Sequence, residues 1–154
     1  MVQRVEIPGR EPIELEHLLL DVNGTLSERG ELIDGVAERL ERLGRTLAVH
    51  LLSADTFGTV EAIAARLGVE AKIVADGQEK LRILDELGRH RCAAVGNGAN
   101  DRFMVRDAAL GIAVVGPEGA SGATITAADV VCRSVLEALD LLAESELLAA
   151  TLRL

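Results

Sequence analysis

The sequence is poor in the side chains with which proteins bind nucleic acids. Its 154 residues include two phenylalanines and no tyrosine or tryptophan, so aromatic platforms for stacked bases are missing. Lysine and arginine together number 16 against 25 aspartate and glutamate residues, which gives a formal net charge of -9. A nucleic-acid surface needs clustered basic residues, because the phosphate backbone is strongly anionic. We therefore expect no nucleic-acid partner, and the composition favours a compact enzyme or a protein-interaction domain.

Cysteines and long apolar runs are also scarce. The two cysteines, Cys92 and Cys132, both lie in apolar stretches, where a thiol behaves as a small core side chain. No apolar run approaches the roughly 20 residues that span a bilayer, and no cleavable leader is visible. We expect a cytoplasmic protein without a membrane partner. The length and the 49% hydrophobic content predict a single domain over residues 1–154.

Apolar runs of strand length alternate with segments of helical period along most of the chain. This alternation predicts an α/β fold, in which a doubly wound parallel sheet has helices on both faces. We expect buried strands at residues 18–22, 46–53, 71–75, 92–96, 111–115 and 129–132. We expect helices at residues 33–43, 57–67, 80–87, 102–109 and 134–150. Ahead of the first strand, residues 1–16 contain the turn Pro8-Gly9-Arg10 and predict an N-terminal β-hairpin.

Polar residues follow three of the predicted strands. Asp21 to Thr25 end the first strand, Ser53 to Thr56 end the second, and Asn97 to Asp101 follow the fourth. Ligands in open parallel sheets bind beyond the carboxyl ends of the strands. The three clusters are therefore expected to converge at one edge of the sheet.

Asp21 is the candidate nucleophile of such a site. A carboxylate can attack phosphorus when a cation offsets the charges, and Mg²⁺ with oxygen ligands is the common choice. Asn23-Gly24 is equally typical of a hairpin turn. Against a hairpin, the residues after Leu26 are too polar for a returning buried strand.

Each of the other candidates also has an ordinary structural alternative. Ser53 and the backbone N–H groups that follow it fit a phosphate site at a helix N-terminus, whereas Asp55 or Thr56 fits a helix cap. Lys80 fits the cation of a phosphoryl site, although a lone lysine is more often solvated. Residues 97–101 form either an oxygen-rich metal loop or an asparagine-rich turn, and they match a dinucleotide-binding loop poorly. The three histidines, His17, His50 and His90, have no metal-ligand spacing and are expected to be structural.

Taken in order, DVNGTL, LLSAD, Lys80 and GNGAND resemble the four motifs of the haloacid dehalogenase superfamily of phosphohydrolases. More narrowly, Ser-Ala-Asp is similar to the Thr-Gly-Asp of P-type ATPases, and GNGANDRFM is similar to their Gly-Asp-Gly-x-Asn-Asp loop. The chain thus resembles the small soluble proteins described as P-type-ATPase-like. The resemblance implies a Rossmann-like fold. The spacing of the motifs leaves no room for an inserted cap domain.

The resemblance also implies a role for each matching residue. Asp21 is the expected nucleophile, Thr25 shapes its loop, and Lys80 neutralises the transferred phosphoryl group. Ser53 and the backbone of Ala54 are expected to bind that group. The expected Mg²⁺ ligands, direct or through water, are Asp21, the backbone carbonyl of Asn23, Asn97 and Asp101. No other cofactor is implied.

Two departures from the family pattern suggest slow turnover. Asn23 occupies the position of the aspartate that serves these phosphatases as general acid and base, and such a loss slows catalysis by about 10²- to 10⁴-fold. Asn97 replaces the usual aspartate ligand, which removes a formal charge from the metal site.

We therefore expect a Mg²⁺-dependent phosphohydrolase or phosphotransferase that works slowly through an aspartyl-phosphate. Its substrate would be a phosphorylated small molecule or macromolecule, and an open site without a cap is compatible with a homo-oligomer. A weak or inactive domain with a regulatory or phospho-binding role is the alternative. A two-component receiver fits poorly, because its phospho-accepting aspartate should lie on a later strand.

Overall fold

The computed structural model describes all residues from Met1 to Leu154 and contains a central six-stranded parallel sheet. The strand order is β10-β9-β8-β3-β6-β7. The strands are β3 (His17–Asp21), β6 (Ala48–Ser53), β7 (Glu70–Ile73), β8 (Cys92–Gly96), β9 (Leu110–Val114) and β10 (Val130–Cys132). All six predicted strands are present, and no end is shifted by more than two residues. The doubly wound α/β fold is therefore confirmed.

Helices cover both faces of this sheet because its strands are apolar on both sides. In β3, Leu18 and Leu20 belong to the larger core, which packs against α1 (Val36–Leu43), α2 (Val60–Leu67), α6 (Val135–Ala143) and α7 (Ser145–Leu152). Leu19 points to the opposite face, where a smaller core packs against α3 (Gly77–Leu87) and α4 (Arg102–Asp107). The uninterrupted Leu-Leu-Leu run in β3 is typical of a central parallel strand buried on both faces.

The N-terminal hairpin is confirmed. Strands β1 (Gln3–Val5) and β2 (Ile13–Leu15) pair antiparallel, with Gln3 opposite Leu15. Val5 and Leu15 are fully buried and join the larger core. The hairpin leads directly into β3, so it leaves the carboxyl edge of the sheet open.

The structure corrects four details of the predicted elements. Strand β7 lies at the edge of the sheet, and Ile73 is 54% exposed, whereas a buried strand was expected. A single helix was predicted over residues 134–150, but the structure has two helices that meet at Glu144. Leu147, which was expected in the core, is exposed, and Leu148 is buried instead. Phe57 precedes α2 and is exposed, although it was assigned to the apolar stripe of that helix.

Two short elements were missed altogether. A small antiparallel hairpin, formed by β4 (Ser27–Glu28) and β5 (Glu31–Leu32), follows β3. A further helix, α5 (Gly122–Ala127), packs against α4 and β9. Both elements are too short to carry an apolar period that a sequence pattern could reveal. None of the seven helices combines the length and the apolar character needed to cross a membrane.

His17 and His50 contact each other across the neighbouring strands β3 and β6. The Nδ1 atom of His17 lies 3.1 Å from the Nε2 atom of His50, so one ring donates a hydrogen bond to the other. This contact is consistent with the structural role that the sequence predicts for the two histidines. Burial lowers the pKa of both imidazoles, and the positive charge of a protonated His17 lowers that of His50 further.

We expect this pair to make the stability of the protein sensitive to acid. In the unfolded chain histidine titrates near its ordinary pKa of about 6.5. Because the folded pKa values are lower, the unfolded state binds more protons below that pH, so the free energy of unfolding falls as the pH is lowered. The free energy of unfolding can be measured by urea denaturation at a series of pH values around 6.5. As the pH is lowered, it should fall less steeply for His17→Gln than for the unmodified chain. The exposed His90, replaced by Gln, is the control, and equal slopes in the two variants would contradict the prediction.

Candidate functional site

The candidate site lies at the carboxyl edge of the sheet, where the strand order changes direction. From β3 the chain continues through β6 and β7 on one side, and through β8, β9 and β10 on the other. A crevice forms between the strands at such a switch point. Asp21 is the last residue of β3, Ser53 is the last residue of β6, and Asn97 directly follows β8. The structure therefore brings the three predicted clusters together.

The loop after Asp21 folds back on itself in one tight turn. The carbonyl of Val22 accepts backbone hydrogen bonds from Thr25, Leu26 and Ser27, and Gly24 has a positive φ of 79°. The Thr25 hydroxyl lies 3.0 Å from Asp21 Oδ2 and 3.2 Å from Asn97 Oδ1. Asn23-Gly24 is thus not the turn of a hairpin that returns to the sheet. Instead, this loop holds the nucleophile candidate against the loop that follows β8.

Lys80 is fully buried between two carboxylates. Its Nζ atom lies 2.9 Å from Asp21 Oδ1 and 2.6 Å from Asp101 Oδ1. The ordinary alternative, a solvated lysine, is therefore wrong. Lys80 reaches the site because the first turn of α3 packs closely against the loop after β8. A Cβ atom at Gly77 would lie 2.7 Å from the carbonyl oxygen of Asn100, so this close approach requires glycine.

Asp101 is fully buried and organises the loop that carries it. Its Oδ2 atom accepts hydrogen bonds from the backbone N–H groups of Asn97, at 3.1 Å, and Gly98, at 3.0 Å. Its Oδ1 atom is the partner of Lys80. A carboxylate has about four acceptor positions, so three are occupied by protein donors. Asp101 was expected among the metal ligands, but its visible contacts are with Lys80 and the backbone.

Ser53 faces the cavity, but the expected helix N-terminus does not lie beside it. Helix α2 starts at Val60, so a loop separates it from Ser53 and Ala54, and this part of the prediction is wrong. The Ser53 hydroxyl accepts a hydrogen bond from the N–H of Asp55 at 2.9 Å, and its own hydrogen remains available to a ligand. Asp55 Oδ1 accepts from the N–H of Val60 at 3.1 Å, so Asp55 caps the helix as one alternative proposed.

A polar cavity of about 230 Å³ opens at these strand ends. Five of its lining residues were predicted to be functional: Asp21, Asn23, Ser53, Ala54 and Asn97. Phe57 and Glu118 also line it, and sequence reasoning missed both. Glu118 could have been found, because it follows the carboxyl end of β9 just as the other clusters follow their strands. Phe57 had no such signal, since its spacing matched the apolar face of α2.

Burial and charge set the protonation of the central groups. Burial and the Asp101 carboxylate raise the pKa of Asp21 to about 6, against the opposing effects of Lys80 and Thr25. Burial lowers the pKa of Lys80, but the two carboxylates outweigh it and raise the pKa above the ordinary lysine value. At neutral pH the lysine is therefore an ammonium, and Asp21 is predominantly ionised.

The oxygen donors predicted among the residues at the cavity fit a magnesium ion that has few protein ligands. The predicted donors are the Asp21 carboxylate, the Asn23 backbone carbonyl and the Asn97 side-chain oxygen, and the Thr25 hydroxyl holds two of them together. No group of three or more His, Cys, Asp or Glu side chains converges on a metal position. Mg²⁺ is commonly bound by one or two carboxylates with waters and phosphate oxygens completing its octahedron, so this sparse donor set suits it.

Two archaeal proteins share sequence with this chain, whereas no protein-family model matches it. Uncharacterized protein MJ0073 of Methanocaldococcus jannaschii is 44% identical over 78 residues, which cover 48% of this chain and 84% of that protein. Uncharacterized protein MJ0072 of the same organism is 46% identical over 39 residues, covering 25% of this chain and 89% of that protein.

Solved structures with the same architecture are phosphatases and an ATPase domain. The 3-deoxy-D-manno-octulosonate 8-phosphate phosphatase of Moraxella catarrhalis, solved with magnesium, phosphate and its KDO ligand, superposes with a TM-score of 0.69 at 21% identity. That match covers 89% of this chain and 92% of the phosphatase. The cobalt-bound deoxy-D-mannose-octulosonate 8-phosphate phosphatase of Haemophilus influenzae superposes with a TM-score of 0.66 at 15% identity, over 86% of this chain and 89% of that one.

The catalytic domain of the CPx-ATPase CopB-B gives a TM-score of 0.59 at 21% identity, over 77% of this chain and 46% of that one. Because these identities are low, the comparisons establish the fold and not the activity. The fold is that of the haloacid dehalogenase hydrolases without an extra cap, as the resemblance of the motifs implied.

Replacement of Lys80 by methionine tests the buried ion triad. Methionine has a similar shape but no charge, so Asp21 and Asp101 would remain buried side by side without a counter-ion. Removing one partner of a buried ion pair destabilises a protein by about 3–5 kcal/mol. We expect a loss of that order in urea denaturation with EDTA. Arg82→Met removes an exposed cation from the same helix and should change the free energy of unfolding by about 0.5 kcal/mol or less. Similar losses in both variants would contradict the geometry.

Proposed function

We propose that this chain, which belongs to the same family as MJ0073 and has the haloacid dehalogenase fold, is a Mg²⁺-dependent phosphohydrolase or phosphotransferase working through an aspartyl-phosphate on Asp21. The observation that carries the proposal is the position of Lys80 between Asp21 and Asp101. Well-packed apolar side chains could replace a buried ion triad without loss of stability, so stability alone gives no reason for it. Its place beside a polar cavity suits stabilisation of phosphoryl charge.

Asp21 is the group in this site that can form a bond to phosphorus. Its Oδ1 atom is held by Lys80 and its Oδ2 atom by the Thr25 hydroxyl, so the carboxylate is fixed at the floor of the cavity. In the proposed reaction a carboxylate oxygen attacks phosphorus, and the bond from phosphorus to the leaving oxygen breaks. The leaving oxygen takes its proton from solvent. Water then attacks the aspartyl-phosphate and gives up a proton to solvent, releasing inorganic phosphate and restoring Asp21. A phosphotransferase would use another hydroxyl in place of water.

The other residues of the site bind charge and do not transfer protons. The ammonium of Lys80 separates Asp21 from Asp101 and offsets the charge of the phosphoryl group. The free hydrogen of the Ser53 hydroxyl and the backbone N–H of Ala54 would donate to phosphoryl oxygens. Asp21, the Asn23 carbonyl and Asn97 would hold Mg²⁺, which when bound supplies further charge neutralisation. Asp101 would act on the metal through the loop that it fixes, or through a bound water.

The dimensions of the cavity indicate which part of a substrate it receives. Its volume of about 230 Å³ is below the roughly 300–1,000 Å³ of pockets that enclose a whole small molecule. The site would therefore bind the phosphoryl group and leave the rest of the substrate at the open mouth. A phosphorylated small molecule is our proposal for the substrate, because the similar phosphatases are named for one. Cytoplasmic location and homo-oligomerisation stay predictions from the sequence.

The position of Asn23 favours a second candidate function, a phospho-accepting regulatory module. Its amide nitrogen lies 3.4 Å from the Ser53 hydroxyl, and its amide oxygen lies 3.4 Å from the Ser27 hydroxyl. An amide held in this way cannot activate water or protonate a leaving group. The aspartyl-phosphate would then be long-lived, as a regulatory phosphorylation requires.

Substitution of Asp21 tests the proposed mechanism. We expect Asp21→Asn to reduce Mg²⁺-dependent hydrolysis of a chromogenic aryl phosphate by about 10³-fold or more, because the nucleophile is lost. Asp34 is exposed, and Asp34→Asn is the matched control that should leave the rate unchanged. Hydrolysis that survives in Asp21→Asn would exclude the aspartyl-phosphate mechanism.

Restoring the family's carboxylate at position 23 tests whether breakdown of the intermediate limits turnover. We expect Asn23→Asp to raise the steady-state rate by up to about 10²- to 10⁴-fold, the contribution of a general acid and base. Mass spectrometry after acid quenching should find a phosphorylated chain in the unmodified protein and little in the variant. An unchanged rate, with no phosphorylated chain in either protein, would argue that formation of the intermediate is limiting.

A further inference from the structure

Glu118 lies on a turn that is hydrogen-bonded to the loop after β8. The turn Gly116 to Gly119 follows β9 and is closed by a hydrogen bond from the N–H of Gly119 to the carbonyl of Gly116, at 2.9 Å. The Asn97 amide donates to the Gly119 carbonyl at 3.2 Å, and the Ser121 N–H donates to the Asn97 carbonyl at 2.8 Å. The position of Glu118 is therefore set by Asn97.

Close packing of two glycines brings the Glu118 carboxylate over the loop that follows Asp21. A Cβ atom at Gly116 would collide with the carbonyl oxygen of Gly24. A Cβ atom at Gly24 would collide with Glu118 Oε2 and would lie 2.9 Å from the Asn97 amide nitrogen. The Glu118 carboxylate and the Asn97 amide nitrogen thus both lie close to the Cα atom of Gly24, and both residues line the cavity into which Asp21 opens.

The charges of this arrangement do not suit a phosphate by themselves. Asp21 and Glu118 line the cavity, Asp101 lies beneath it, and Lys80 is the one cation among them. No lysine or arginine is among the residues that line the cavity itself. A phosphoryl group would face an excess of negative charge, so a cation with more than one charge has to enter with it.

We propose that Glu118 supplies the second carboxylate of the metal site, in place of the carboxylate that is absent at Asn97. This inference rests on the proposed metal-dependent function and adds a ligand to it. Asn97 then has two roles. Its oxygen faces the Thr25 hydroxyl and the metal position, while its amide group holds the turn that carries Glu118. The negative charge has moved from the loop after β8 to the turn after β9, and the charge available to Mg²⁺ is conserved.

Direct metal binding tests this role without a substrate. The full-length chain is titrated with Mn²⁺, and free Mn²⁺ is measured by its EPR signal. Glu118→Gln should weaken binding by about 10-fold or more, because the charge of the ligand set controls affinity. Glu11→Gln removes the same charge from an exposed position in the N-terminal hairpin and should bind Mn²⁺ as the unmodified chain does.

Rescue distinguishes a ligand from a merely structural residue. Adding Asn97→Asp to Glu118→Gln returns one carboxylate to the site and should recover most of the affinity, even though it removes the amide that donates to Gly119. A loss of affinity caused by a damaged turn would not be recovered by this second substitution. Urea denaturation of Glu118→Gln should match that of the control, since this side chain is exposed. Equal Mn²⁺ affinity in Glu118→Gln and Glu11→Gln would overturn the inference, as would an unmodified chain that binds no Mn²⁺.

These results separate the inference from the function on which it rests. If Asp21→Asn abolishes hydrolysis while Glu118→Gln binds Mn²⁺ normally, the phosphoryl mechanism stands and the role of Glu118 is wrong. If hydrolysis survives Asp21→Asn, the proposed function fails, and Mn²⁺ affinity still reports whether Glu118 is a ligand.

Discussion

The ammonium group of Lys80, buried between Asp21 and Asp101, is the interaction on which the site depends. It joins three parts of the chain that are distant in sequence: the end of β3, the first turns of α3 and the loop after β8. Without it, two buried carboxylates would face each other in a low-dielectric interior. The close approach of Gly77 to the Asn100 backbone brings the lysine into reach. The contacts that hold this edge of the sheet together therefore also fix the positions of its charged groups.

Much of this arrangement was predictable from the sequence, and the remainder depended on packing. The strand ends were visible because apolar runs stop abruptly at Asp21, Ser53 and Gly96, and parallel strands bring such ends together. The burial of Lys80 was not visible, since nothing in its neighbourhood distinguishes it from a solvated lysine. Strand β7 is exposed because it lies at the edge of the sheet, and the periodicity of its sequence does not reveal the position of a strand within the sheet. Glu118 was missed although it follows the carboxyl end of β9, because the residues around it are ordinary for a turn.

The two asparagines weaken the site in different ways. Asn97 changes the charge that the loop after β8 offers to a cation, and a neighbouring carboxylate can make up such a deficit. Asn23 removes a proton carrier, and no other side chain that lines the cavity is assigned that role. The two losses affect different half-reactions, because capture of the phosphoryl group depends on charge, whereas its release depends on activated water.

The reversal of strand order between β3 and β8 also determines when the complete site can form during synthesis and folding of the chain. Asp21 is synthesised early, but its lysine partner, the loop that holds that lysine and the turn of Glu118 come from the second half of the chain. During translation a growing chain thus holds the nucleophile long before it holds a counter-ion. Long-range strand pairing forms slowly. The capacity to accept a phosphoryl group should consequently arise in one step, when the sheet closes around β3, and no fragment that ends before Asp101 should possess it.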